Sequence, residues 1–166
     1  MQFLIAAALS VVAALAEFTI VPYLKIGDAV PHPALVIGVT WVIAGRLEAG
    51  LVWAFVGGIT LDILGQRPLG SSAFSLLLAI GLASLVGGAM RRVRILAPIV
   101  AVAVASPVYS MVLLVVTSIL TGAAFSTAVL DVVLPSAAYD TVLAALAGPL
   151  TMAIVLRREA QDRVDW

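Results

Sequence analysis

Residues 57–70 read GGITLDILGQRPLG, an apolar run that ends on a carboxylate, Asp62, and then on a short stretch of turn formers. The run begins near Leu47 and is long enough, at 1.5 Å per helical residue, to cross a bilayer. An ionised side chain in hydrocarbon costs a few kcal/mol or more, so it normally faces protein or water and is a functional candidate by default. In the last turn of a helix a carboxylate also opposes the macrodipole, so something nearby must compensate. Gly65 and Gly70 allow a tight reversal, Pro68 stiffens it, and Ser71 or Ser72 can cap a following helix whose first N–H groups point back toward Asp62. Arg67 offers a charge pair. The stretch therefore reads as a clasp between two membrane helices, and a direct partner contact through the same residues is compatible with that reading.

The whole chain agrees with this local picture. Of its 166 residues 63% are hydrophobic and 11% charged, where a soluble domain carries about 25% charge. Mean hydropathy is +1.21. The fold class is thus all-α, a polytopic integral membrane protein. Net charge is zero, so no global basic surface argues for nucleic acid, and neither a glycine-rich phosphate loop nor zinc-ligand spacing occurs. With no cysteine, disulfides, thiolate catalysis and cysteine-bound metal drop out. The first 24 residues lack a basic leader region and stay apolar for longer than a signal-peptide core, so they read as a retained first span.

A window of about 19 residues finds six candidate helices bounded by polar or Pro/Gly breaks. They run roughly Phe3 to Leu24, Ala29 to Gly45, Leu47 to Leu64, Ser71 to Met90, Ile95 to Leu120 and Leu134 to Leu156. The second is short, about 25 Å, with Pro31 and Pro33 in its first turn. Residues 1–156 form one transmembrane domain and 157–166 a short cytoplasmic tail. Lys and Arg concentrate in cytoplasmic loops. With both termini inside, Arg46, Arg91, Arg92, Arg94, Arg157, Arg158 and Arg163 are cytoplasmic, and only Lys25 and Arg67 are outside. A five-span alternative puts either the Arg91 to Arg94 cluster or the tail on the wrong side.

Three intramembrane acids then fall in the outer half of the bilayer. Glu17 is about 10 Å before the outer end of helix one. Asp62 is about one turn from the outer end of helix three, and Asp140 about six residues into helix six. Each is either hydrogen-bonded near the interface or neutral, or the three share an outward-facing polar pocket or partner contact; a proton relay or a metal site is the third alternative, although spacing alone does not pair the ligands a metal needs. His32, between two prolines, reads as an interfacial residue rather than a ligand. Gly50, Ala54 and Gly58 on helix three, and the pairs Ala83 with Gly87 and Ser84 with Gly88 on helix four, recur at intervals that let helix backbones approach, within one subunit or against another membrane helix. Pro107 interrupts helix five and Pro149 helix six, freeing carbonyls that Ser106, Tyr109 or Ser110 can satisfy in the first case. An aspartyl hydrolase needs two facing acids, and Asp62 with Asp140 is the pair at similar depth. No nucleophile or Ser/His arrangement accompanies it, so the chain reads as no enzyme.

The segment from Pro33 through Arg92, PALVIGVTWVIAGRLEAGLVWAFVGGITLDILGQRPLGSSAFSLLLAIGLASLVGGAMRR, resembles the rod shape-determining protein MreD family of bacteria. The similarity lies in chain length, five or six apolar spans, the early Pro33, the Gly-rich third span with Gly57 and Gly58 ending in Asp62, then Gly65, Pro68, Leu69, Gly70 and the small-residue helix from Ala73 closed by Arg91. The fourth span departs from the pattern, reading AIGLAS where an aromatic residue is expected in many relatives. The resemblance implies a non-catalytic scaffold of the cell-elongation machinery in the bacterial cytoplasmic membrane. It implies a single-pass MreC-like partner, with links to MreB filaments and to the RodA glycosyltransferase and transpeptidase pair of peptidoglycan synthesis. The family is also similar to the substrate-binding membrane subunits of energy-coupling vitamin transporters, which supplies a rival function.

Two readings follow. As a scaffold, the chain uses Gly57, Gly58, Asp62, Gly65, Arg67, Pro68, Leu69 and Gly70 to shape a contact with a partner's membrane helix or periplasmic stalk, and association with a second copy stays open. As a solute-binding subunit, it presents an outward pocket of aromatic and polar groups, for which Trp41, Trp53, Tyr109 and Tyr139 are the available aromatics. No cofactor or metal is implied by either. Almost no mass lies outside the membrane, which favours action through helix surfaces and short loops, as in a scaffold.

Overall fold

A computed structural model describes residues 2–25, 29–44, 47–90, 93, 96–122 and 129–162. Its regular structure is six α-helices: α1 (Gln2–Leu24), α2 (Pro33–Ala44), α3 (Leu47–Leu64), α4 (Ser71–Ala89), α5 (Ala97–Thr121) and α6 (Val129–Asp162). Five of them are long and apolar enough to cross a membrane. Each is apolar on nearly every side, as expected where both lipid and protein neighbours are apolar. Arg46, Arg91, Arg92, Arg94 and Arg163, which orient the chain by charge, lie outside the described residues, as do the expected helix limits Gly45 and Ile95.

The sixth helix, α2, is the exception in length and the centre of the architecture. It has 12 residues, about 18 Å, and packs against each of the other five helices. Around it the others follow one another in the order α1, α3, α4, α5, α6. Buried positions on every side of α2, from Ala34 and Leu35 to Val42 and Ala44, reflect this enclosure. The sequence expectation of a helix from Ala29 is corrected here, because α2 starts only at Pro33. The reason is local. Pro31 and Pro33 bias Val30 and His32 toward extended backbone, and Pro33 suits the first helical position, where its missing N–H is not needed.

Glycines and alanines set how closely the helices approach. A methyl group built on Gly58 would strike the main chain of Ala73 on α4, and one on Gly50 would strike the Val42 side chain on α2. At Gly38 it would lie 2.7 Å from the Trp53 ring. Ala54 and Ala83 are likewise fully buried. Gly50, Ala54, Gly58, Ala83 and Gly87 are therefore spent on packing inside the chain, whereas a methyl group at Gly88 would meet nothing within 4 Å. Trp53 is buried against α2, stacks on Trp41 at 5.8 Å between ring centroids and donates its indole N–H to the Ala34 carbonyl at 3.0 Å. Trp53→Phe removes the donor and also three ring atoms from a fully buried site, so it should lower stability by about 2–3 kcal/mol. Thermal unfolding in detergent reads this.

Proline leaves α5 and α6 continuous. Pro107 lies within α5, and Pro135 and Pro149 within α6. In α6 the first residue is Val129 rather than Leu134, which adds more than a turn before Asp140. The acid stands eleven residues in, about 16 Å from the start of the helix, where the sequence placed it about six residues in.

Candidate functional site

The first turn of any helix carries four N–H groups with no partner inside it, and where water is absent each unsatisfied group costs several kcal/mol. Helices α2 and α4 both begin inside the bundle. Asp62 and Asp140, both buried, and the half-buried Glu17 each accept hydrogen bonds at one of these two starts.

Asp62, fully buried two residues before the end of α3, serves α4. Its Oδ1 accepts the Ser72 amide at 2.9 Å and its Oδ2 the Gly70 amide at 2.8 Å. The Ser71 hydroxyl lies 2.9 Å from Oδ1 and 2.8 Å from the Pro68 carbonyl. Gly70 occupies the cap position of α4 with φ 95° and offers no side chain to the helix. Asp62 supplies from across the turn the carboxylate that a capping Asp would carry locally. Its negative charge, unfavourable at the end of α3, sits on the positive end of α4. The reversal itself uses Gln66, φ 50°, and Gly70 in left-handed conformations, rather than Gly65. Arg67 does not form the expected pair with Asp62. Its guanidinium is 3.4 Å from the Ser72 hydroxyl, and its backbone N–H donates to the Asp62 carbonyl.

The start of α2 takes the other two acids. Glu17 reaches from α1 to accept the Ala34 amide at 2.8 Å. Asp140 reaches from α6 and holds His32 by two bonds: Oδ1 accepts the backbone N–H at 2.7 Å, and Oδ2 lies 2.9 Å from Nδ1. Among the described residues this is the one contact that becomes an ion pair, and it does so when His32 is protonated. The Ser106 hydroxyl of α5 donates to the same Oδ2 at 2.5 Å. The Ser136 hydroxyl of α6 accepts the Val30 amide at 2.9 Å, so the chain entering α2 is also tied down. His32 packs edge-on against Tyr109, with ring centroids 5.2 Å apart.

Glu17, His32, Asp140 and Arg67 interact electrostatically, so two of the three acids expected in the outer half share one region. Asp62 serves the other helix start, and Tyr109, whose side chain meets Ser72, interacts with both Glu17 and Asp62. Among the described residues no group of three or more His, Cys, Asp and Glu is arranged to hold a metal ion. Ser106, Asp140 and His32 are the residue types of a hydrolytic triad in the wrong order. The carboxylate stands between hydroxyl and imidazole, so Ser106 has no base to activate it.

The other residues of the 57–70 stretch divide into interior and surface. A methyl group on Gly57 would come 3.2 Å from Ser10 of α1, and Gly58 packs on Ala73. Arg67 is exposed, and Leu69 keeps 70% of its surface. Ser72 joins the site as the sequence expected, whereas His32 and Ser106 join it although the sequence gave them no part in holding the acids. The signal that could have found His32 is its place immediately before Pro33, the cap position of α2.

The model of the rod shape-determining protein MreD family matches residues 1–156, nearly the whole chain. The chain belongs to the MreD family. No curated protein and no solved structure matches it. Membership, with helices that span a bilayer, makes this a multi-pass protein of the bacterial inner membrane that takes part in determining rod shape. The family is a shape-determining one, in keeping with a site whose polar groups hold helices together.

Proposed function

We propose that this MreD-family chain is a non-catalytic scaffold that holds a single-pass MreC-like protein and so helps position peptidoglycan synthesis. One observation carries the reading: the buried acids are engaged in tying helix starts to neighbouring helices. Rigidity, rather than reaction, is what such an arrangement provides. The solute-binding alternative calls for aromatic side chains lining an outward pocket, but Trp53 and Tyr109 are buried in the core. A scaffold of this kind acts through what it leaves exposed. Residues 57–70 leave Leu69 and Arg67 on the outer turn, on a loop whose shape Asp62 holds.

The test separates surface from support. Leu69→Asp changes an exposed side chain, so the full chain should fold as before. Co-purification in nanodiscs with the MreC-like protein of the same organism should fall by about tenfold, the loss of about 1.4 kcal/mol expected for a central apolar contact. Undiminished recovery of the partner by Leu69→Asp and by Arg67→Glu would remove this turn from the interface. Stabilisation of the chain alone by a small solute would favour the alternative.

A further inference from the structure

The cluster at the start of α2 contains the protein's one histidine, and nothing in the scaffold reading requires a titratable group there. An asparagine could bridge Asp140 as a neutral donor. Instead an imidazole lies 2.9 Å from the Asp140 carboxylate of α6, within the electrostatic reach of Glu17 of α1, with 16% of its side-chain surface exposed. We propose that His32 is a proton-operated latch that holds α2 in the centre of the bundle and loosens it as the outside pH rises.

The charges that meet at this point give the sign. Glu17 comes from α1, Asp140 from α6 and Arg67 from the α3–α4 turn. The remaining neighbours are uncharged: Ser106 and the Tyr109 phenol from α5 and Ser136 from α6. Asp62 is engaged with α4. With His32 protonated, the imidazolium and the positive end of α2 both attract the Asp140 carboxylate. When the ring loses its proton, that charge-assisted contact becomes an ordinary hydrogen bond and the hold of α6 on the start of α2 weakens. Hydrogen bonds between ionised partners are roughly twice as strong as neutral ones. The bonds that break most readily are those from the carboxylates to the first turn of α2, since α2 is short and its entry segment is held by the same groups. Because α2 touches every other helix, a change at its start reaches the whole bundle. The latch is independent of which partner the chain binds.

The single histidine makes the test direct. In the full chain in nanodiscs with any affinity tag removed, 13C-labelled histidine gives one signal, followed between about pH 5.5 and 8.5. Hydrogen exchange of residues 29–36, corrected for the intrinsic pH dependence of exchange, is followed in parallel. Protection should fall by about tenfold over the pH interval in which the histidine signal titrates, and His32→Gln should show no such step. Protection that stays constant while the signal titrates overturns the latch. So does a step at a pH where the signal does not move, or a histidine that fails to titrate across the range. If His32→Gln does not fold, the two wild-type curves still decide the matter.

Discussion

Gly58→Leu is expected to abolish the folded bundle. The first atom of any side chain at this position collides with the Cα and N of Ala73 in the first turn of α4, and main-chain atoms of a helix cannot turn aside as a side-chain end can. Overpacking a core usually costs about 1–3 kcal/mol. Here the two helices must separate, so a loss above about 3 kcal/mol is expected, a large part of the stability of a small protein. Even Gly58→Ala should be damaging. Gly88→Leu on α4 is the control, because its added atoms meet open space, and it should stay within about 0.5 kcal/mol of the wild type. Thermal unfolding in one detergent compares the three. Equal midpoints for Gly58→Leu and Gly88→Leu would show that α3 and α4 do not pack as described.

Asp62→Ala should have an effect nearly as large for a different reason. It leaves the buried Ser72 and Gly70 amides and the Ser71 hydroxyl without their carboxylate. Each unsatisfied buried donor costs about 1–3 kcal/mol, and some are relieved by rearrangement, so about 3 kcal/mol in total is expected. Asp62→Asn separates charge from geometry. Its carbonyl oxygen can still accept one amide, but its NH2 then meets a second donor, so about half of the loss should remain. Exchange of the amides at 70–74 measures the cap directly. Wild-type protection there in Asp62→Ala would mean that the carboxylate does not hold the start of α4. Asp62→Ala should also weaken capture of the MreC-like partner, since the exposed Leu69 depends on the same turn.

The Asp62 clasp was readable from the sequence because its parts lie within ten residues of one another. A buried acid, a turn and two serines in that order leave few alternatives. The clasp at α2 was not readable. His32 and Asp140 are 108 residues apart, and Glu17 meets Ala34 only because α1 has a particular rotation beside α2. Helices that are apolar on every side carry no stripe that says which face turns inward, so neither the rotation nor the depth of a side chain follows from its neighbours in sequence. The start of α6 was misplaced for a related reason, since residues just before Leu134 are apolar enough to continue the helix and no strong break marks its start.

Composition and the lengths of the apolar runs by themselves determined that this chain spans a membrane as a set of helices. In hydrocarbon only such helices, among structures this sequence can form, satisfy their own backbone. The same reasoning placed α3 at Leu47 to Leu64, where the structure has it. Only the tertiary structure decided that the short helix α2 is the central one, and that Glu17 and Asp140 hold its start. Those outcomes rest on how separate helices rotate and slide against one another, a matter of packing between distant segments that no local stretch of the chain encodes.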